Sequence, residues 1–520
     1  MSRFRNFSRN LVAGYFQMAV TVLYSLVSVP LILHWLPRAE FGMWAVLVQL
    51  MSYVYLIDLG INQAIARFLI DHKDDRASGQ YGSLIKASFY VSVVQGLIIL
   101  VVIGLGAPLL ATLMNIPPEH REVFIHLLRI QGTFSAFTFC TNPLGIMLNA
   151  HQRTDLVSRQ SVINMVLQFG LLVLFLYKGH GIYSFINSLA VSSLITPVWC
   201  YLYCRKLGFF PRKNEWGTVS WTQFKAVFAY SKDVFLMNLG IYLISASQTI
   251  VVSCALGLEL AAAWTVGTKV FMLLRQVLYQ PSSAATSGLC ELLARNETDR
   301  MRHNFKNLVG LTASLGIVSA GIFVLCNSLF IQVWTNGKIV WPLANDLFLG
   351  AWIFVASIQT THCSLVFINK QIGRMPYVLI AEGIAFVTLS LVLGYRWGIP
   401  GIAACSLLCL TLFSCQFGIR KSAKYFNAPL SEMVLEWIRP ALNVAAILIV
   451  VFPAIWLATS TLPTLWRLVI HASAAGVIGG YLLIRVGLSP EMVKSIQQRL
   501  PLPAVQLLQL MKPTPVQTAK

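Results

Sequence analysis

The sequence predicts an all-α, polytopic membrane protein of about fourteen transmembrane helices, built as two six-helix lobes in a parallel repeat followed by two further helices. Three observations carry this. Of the 520 residues, 57% are hydrophobic and only 11% charged, with a mean hydropathy of +0.69; a soluble chain holds about 25% charged residues. Apolar runs of spanning length recur along the whole chain. The chain also matches itself at an offset of about 220 residues.

The runs lie at approximately 10–35, 41–69, 83–113, 121–150, 156–177, 181–204, 223–255, 259–293, 305–333, 342–369, 375–396, 400–419, 440–459 and 464–486. Several exceed what a bilayer needs and are expected to tilt or project. The basic start (Arg3, Arg5, Arg9) leads into the first run with no small-residue cleavage site, so that run is expected to be retained as its own insertion signal.

The net charge of +20 would suggest nucleic acid in a soluble protein. Here its distribution gives another reading. With the N-terminus inside, connections expected outside hold six Lys/Arg and those inside hold twenty-seven. This is the positive-inside bias, and it predicts two cytoplasmic termini and no nucleic-acid partner. Outside connections are no longer than about ten residues, and no soluble catalytic domain is attached. A glycosyltransferase or ligase, which needs an acceptor loop or an acidic metal motif, is therefore not expected; the reading is a transporter, not an enzyme. The ten cysteines sit in or beside apolar runs without CxxC spacing, so no metal and no cofactor is expected. The proline-rich tail from Leu488 to Lys520 reads as a short amphipathic stretch followed by disorder.

At the repeat offset Trp44 meets Trp264, Phe134 meets Phe354, Thr141 meets Thr361, Asn149 meets Asn369, and Gly181-Ile182 meets Gly401-Ile402. Six spans separate the copies, so they run in the same direction. The expected division is 1–210 (helices 1–6), 211–425 (helices 7–12), 426–487 (helices 13–14) and a cytoplasmic tail, 488–520. A cleft between the lobes, opened to either side in turn, is the expected transport path. Gly60 and Pro281 fall one position apart under the offset, and both can break a helix.

Polar stripes on apolar helices must face protein or water. They place Gln17 in span 1, Asp58 and Asn62 with Tyr55 on one face of span 2, Asn238 in span 7, and Lys269 with Gln276 on one face of span 8. Lys269 and Arg275 lie near the middle of span 8, where a charge costs several kcal/mol unless solvated or paired. They are the expected seat of an anionic group such as a diphosphate, with Arg67 assisting. Asp58 is the expected counter-charge and coupling group, and Glu382 in span 11 is a second candidate for proton or sodium coupling.

The opening span LVAGYFQMAVTVLYSLVSVPLILHWLPRAEFGMWAV, the Asp58-Leu59-Gly60 pattern followed by Arg67, the Asn149–Arg153 turn and the two Gly-Ile span starts carry a resemblance. The chain resembles the polysaccharide biosynthesis (O-antigen flippase, Wzx-like) family of the multidrug/oligosaccharidyl-lipid/polysaccharide (MOP) exporter superfamily. The resemblance covers spans 1–12 and is strongest over residues 8–70. It implies a MATE-like fold and a flippase of polyprenyl-diphosphate-linked oligosaccharide for surface polysaccharide (O-antigen or exopolysaccharide). Its implied partners are the lipid-linked oligosaccharide, membrane lipids and other polysaccharide assembly proteins, in the bacterial inner membrane. The alternative within the same fold is a cation-coupled multidrug antiporter, which the basic residues disfavour.

Overall fold

A computed structural model describes residues 2–72, 78–151, 153–369 and 372–488; beyond Leu488 the expected tail lies outside the described residues. All regular structure among the described residues is helical, as it must be when lipid offers the backbone no hydrogen bonds and no barrel closes. Among the described residues twelve stretches are long and apolar enough to cross a membrane, so this is a multi-pass membrane protein. The expected fourteen are recovered in two steps. The stretch Met375–Phe426 bends at Gly398 (φ 67°, ψ −148°), and its two arms are the expected spans 375–396 and 400–419. The expected span 259–293 is present as α10 (Leu258–Gly267) and α11 (Lys269–Ala294), whose polar residues keep it out of the apolar twelve.

The chain forms two compact units, Met1–Ala262 and Ala263–Lys520. The boundary falls inside α10, well after the 210/211 division expected between the lobes. Packing explains the difference. Helices α8 (Trp221–Ser245) and α9 (Ser247–Leu256) pack on α2 (Arg38–Val54) and α3 (Ile61–His72). The Tyr53 hydroxyl donates to the Tyr242 carbonyl (3.2 Å) and bonds the Ser247 hydroxyl.

The first unit begins with α1 (Ser2–Trp35) and continues after α3 with α4 (Gln80–Leu113), α5 (Pro118–Ala150), α6 (Thr154–Tyr177) and α7 (Tyr183–Lys206). One buried cluster, including Ile65, Leu69, Tyr81, Ile85, Met147 and Cys204, ties α3, α4, α5 and α7 together. Lys86 Nζ donates to the Gly217 carbonyl (3.0 Å) and lies over the Trp216 ring.

The second unit holds α11, α12 (Thr298–Trp334), α13 (Leu343–Ile368), α14 (Met375–Leu410), α15 (Gln416–Phe426), α16 (Arg439–Ala458) and α17 (Thr464–Leu482). The element starts keep the repeat: Gln80 against Thr298, Pro118 against Leu343, Thr154 against Met375. The breaks do not. Pro281 lies inside an uninterrupted α11, and span 8 breaks at Thr268 instead. The last two helices pack on α12 through Val318, Leu325, Val444, Leu448, Phe452 and Ala475. Fully buried His471 is held between the Leu325 carbonyl (3.2 Å) and the Thr459 hydroxyl (2.7 Å).

Between α15 and α16 a π-helical turn, Glu432–Glu436, is clamped by one carboxylate. Arg302 Nη2 reaches both Glu432 oxygens (2.7 and 2.9 Å), and the Trp437 indole donates to one of them (3.1 Å). The Arg302 hydrogen bonds hold the Glu432 carboxyl below its ordinary pKa. Its stabilisation is therefore complete above the unfolded carboxyl's pKa and is lost as pH falls through the lower folded value. Glu432→Gln should lower the thermal midpoint in detergent by about 1–3 °C at neutral pH, and the difference should close as pH falls through the carboxyl's lowered pKa. A pH-independent difference would mean that the clamp is not electrostatic.

Candidate functional site

In the first unit the expected bend at Gly60 is present and goes further than a bend. Helix α2 runs into a single 3-10 turn, Tyr55–Asp58; Leu59 (φ 51°) and Gly60 (φ 73°) are left-handed, and α3 then starts afresh. A Cβ at position 60 would lie 2.9 Å from the Val234 side chain and 3.0 Å from the Ser231 carbonyl, so backbone conformation and space both require glycine. Tyr55, Asp58 and Asn62 consequently do not share a face of one continuous helix.

A break inside a membrane leaves backbone groups that lipid cannot solvate. Two side chains answer this one. Asp58 Oδ1 accepts from the backbone N–H of Asn62 (3.3 Å) and caps the first turn of α3. Gln95 Nε2, reaching from α4, donates to the carbonyls of Ile57 (3.1 Å) and Asp58 (3.2 Å). The groups that act on the Asp58 carboxylate (Asn62, Gln95 and Tyr242) belong to its own unit. Asp58 therefore has a structural role at this break, which the sequence pattern did not show. Asn62 is half-buried, and its Oδ1 has no partner among the described residues. Gln17 on α1 and Asn238 on α8 are also half-buried, and Arg67 is exposed on α3.

In the second unit Lys269 is not at the middle of a continuous helix. It is the first residue of α11, after non-helical Thr268 (φ −93°, ψ 3°). A cation at a helix N-terminus opposes the macrodipole, and no hydrogen bond or ion pair from its Nζ is found among the described residues. The break itself is closed by a network. Asn327 Nδ2 donates to the Gly267 carbonyl (3.1 Å) and to Asp346 Oδ1 (2.7 Å); the Trp341 indole also donates to Asp346 (2.7 Å). The Trp341 ring returns to Gly267, where a Cβ would sit 2.3 Å from it. Asp346 is therefore fully engaged in holding the junction.

One turn and a half further on is Arg275. Its guanidinium lies 5.8 Å from the Phe271 ring and 5.6 Å from the Trp352 ring, a two-sided cation–π seat. It opens on a cavity of about 250 Å³ lined also by Gln276, Tyr279, Ser357 and Thr360. Lys269 is not among the lining residues; Arg275 and Gln276 are. The acid that acts electrostatically on Arg275 is Glu382. Glu382 is 1% exposed, and its Oε2 accepts the backbone N–H of Ser414 (3.1 Å). Ser414 lies in a π-helical turn, Thr411–Cys415, a geometry frequent at functional sites. Arg275 and Glu382 thus act on each other electrostatically, a relation the sequence did not suggest. The structure adds Trp352, Ser357, Thr360 and the π turn, none of which carries a sequence signal: each reads as ordinary apolar or hydroxyl content of a span.

A family model described as "Polysaccharide biosynthesis protein" matches residues 35–338, more than half the chain. The chain belongs to this family. No curated protein matches it by sequence. In three dimensions it is similar to the lipid II flippase MurJ in an inward closed conformation (TM-score 0.65, 13% identity, 92% of this chain and 98% of that one). It is similar to an inward-facing multidrug resistance MATE family transporter of the MOP superfamily (TM-score 0.64, 13% identity, 80% and 98%). A MOP superfamily transporter from Pyrococcus furiosus follows (TM-score 0.56, 14% identity, 82% and 96%). The fold of this family member is therefore that of MOP superfamily transporters, and the flippase covers more of the chain than the multidrug transporter does.

Two measurements check the site. Gln95→Leu leaves the Ile57 and Asp58 carbonyls without their donor and should cost about 1–3 kcal/mol, read as a lower thermal midpoint with insertion retained. Arg275→Ala and Glu382→Gln should each lower the midpoint, and the double variant should fall short of their sum by about 1 kcal/mol. Strict additivity would show that the two charges do not communicate.

Proposed function

We propose that this protein is a flippase that moves a polyprenyl-diphosphate-linked oligosaccharide from the cytoplasmic to the periplasmic leaflet of the bacterial inner membrane, by alternating access, for surface polysaccharide assembly. The observation that carries the reading is a cation in a polar cavity: Arg275, flanked by aromatic rings and opening on about 250 Å³ with Gln276, Ser357 and Thr360. It is supported by membership of the polysaccharide biosynthesis family.

A planar guanidinium matches a phosphate bidentately, and a low-dielectric setting strengthens the bond. Arg275 holds the diphosphate, and Gln276 adds hydrogen bonds beside it. Lys269, with no described partner, supplies a second positive charge. Gln17, Asn62, Asn238 and Arg67 remain proposed contributors from the first unit. Glu382 couples transport to protons or sodium: when the diphosphate takes over Arg275, the carboxylate loses its cation and gains a reason to bind another. Asp58, committed to capping α3, is the weaker coupling candidate. No cofactor is needed for such a cycle, and no covalent step occurs. The excess of Lys and Arg in alternate connections supports two cytoplasmic termini. Membrane lipids and polysaccharide assembly proteins are the proposed partners.

The MATE-like fold also admits a cation-coupled multidrug antiporter. Arg275 disfavours it, because a cationic drug would meet a like charge in the same cavity. Removing the charge at Lys269 or Arg275 by alanine should abolish surface polysaccharide in a complemented flippase-null strain while the protein stays in the membrane. Full export in both single variants would overturn the assignment, and resistance to cationic compounds without complementation would select the antiporter.

A further inference from the structure

The first unit contains a second cavity, of about 260 Å³, whose chemistry differs from that around Arg275. No charged residue lines it. Its lining includes two aromatic rings in tilted contact, Tyr55 and Phe139 (centroids 5.7 Å apart), and a set of neutral polar side chains, among them Gln131, Thr138, Asn164 and Ser193. It is formed where the 3-10 turn after α2 meets α5, α6 and α7.

Two of its amides are unsatisfied. Gln131 is 7% exposed, and its Oε1 has no hydrogen-bond partner among the described residues; Asn164 Oδ1 is likewise buried and unpartnered. A buried acceptor left unpaired costs about 1–3 kcal/mol. Such a cost is tolerated where a ligand or ordered water completes the bonding. Around both amides the hydroxyls of the lining mostly serve the backbone: Thr138 donates to Phe134, and Ser193 to Ala190. The occupant must bring its own donors.

Three constraints narrow its class. A cation would need a carboxylate in so buried a place, and none lines the cavity. An anion would need Lys or Arg, and none is present. An apolar occupant would leave both amides unsatisfied. What remains is a neutral, hydroxyl-bearing molecule with an apolar face to set against the rings. At about 30 Å³ per water the cavity holds a small water cluster or a single sugar ring that displaces it.

We propose that this cavity is a subsite for one uncharged sugar residue, its hydroxyls bonded by Gln131 and Asn164 and its C–H face laid on Tyr55 and Phe139. The choice of a sugar rests on the flippase reading; the polar class of the occupant does not.

The test uses the full-length protein in nanodiscs. Saturation-transfer NMR is recorded with free glucose, galactose, rhamnose and N-acetylglucosamine, and phosphorus line broadening with inorganic pyrophosphate. At least one sugar should show transfer, reduced about fivefold or more in Gln131→Leu and in Asn164→Leu, the loss of one hydrogen bond. Pyrophosphate broadening should survive both substitutions and vanish in Arg275→Ala. The sugar-free thermal midpoint of Gln131→Leu should hold or rise, because an unsatisfied acceptor has been removed; a purely structural glutamine would give a fall. If either leucine variant fails to fold, Tyr55→Ala, which removes a ring from under the sugar's C–H face, carries the same sugar readout. No transfer from any of the four sugars, as for a cavity that takes water only, overturns the subsite, as does transfer unchanged in the variants. Pyrophosphate binding that persists in those cases leaves the flippase reading standing. Sugar binding without pyrophosphate binding sinks the diphosphate seat and leaves the subsite.

Discussion

A helix interrupted inside hydrocarbon must find its missing hydrogen bonds within the protein, and much of the polar chemistry of this chain follows from that constraint. At the α2–α3 break, Gln95 supplies two carbonyls with a donor and Asp58 supplies an amide with an acceptor. At the α10–α11 break, Asn327 serves the Gly267 carbonyl and is itself held by Asp346. At the π turn after α14, Glu382 receives the Ser414 amide. These side chains would stand out in any scan for polar residues in apolar runs. Their first duty is to let the backbone depart from a straight helix.

That duty separates structural charges from available ones. Asp346 has Asn327, Ser328 and Trp341 around it and nothing left to offer a ligand. Asp58 is partly spent as a cap. Arg275 is different: two aromatic rings stabilise it without neutralising it, and Glu382 acts on it across the same unit. A cation held by π faces keeps its charge for an anion. Glu382 is bonded through one oxygen to a π turn, so structure and charge meet at one place.

The sequence made the architecture legible because hydropathy and charge bias are properties of whole segments. Fourteen spans, the repeat and the bend at Gly60 could all be read from it. The placement of the break in span 8 could not. Pro281 is the conspicuous residue there, yet α11 runs through it, and the chain breaks at Thr268, where Gly267 admits the Trp341 ring. Tertiary packing decided that position, and no local signal reports it. Lys269 and Arg275 looked equivalent for the same reason. Six residues apart on a supposed single helix, they proved to be a helix start and a cavity wall. Glu382, which acts electrostatically on Arg275 from more than a hundred residues further along the chain, carries no sequence signal of that relation.

On the proposed reading, the two cavities divide the cargo between them. A transporter makes and breaks no bond in its cargo, so it needs no group placed to a fraction of an ångström against a reacting atom. It needs the right sign of charge where the cargo is charged, hydrogen-bonding amides where it is hydroxylated, and apolar surface elsewhere. Arg275 with its rings meets the first need. Gln131 and Asn164, neutral and unsatisfied, meet the second. Many residue combinations satisfy such terms equally well. On the proposed reading, the breaks in this chain answer to the membrane and the cavity residues answer to the cargo.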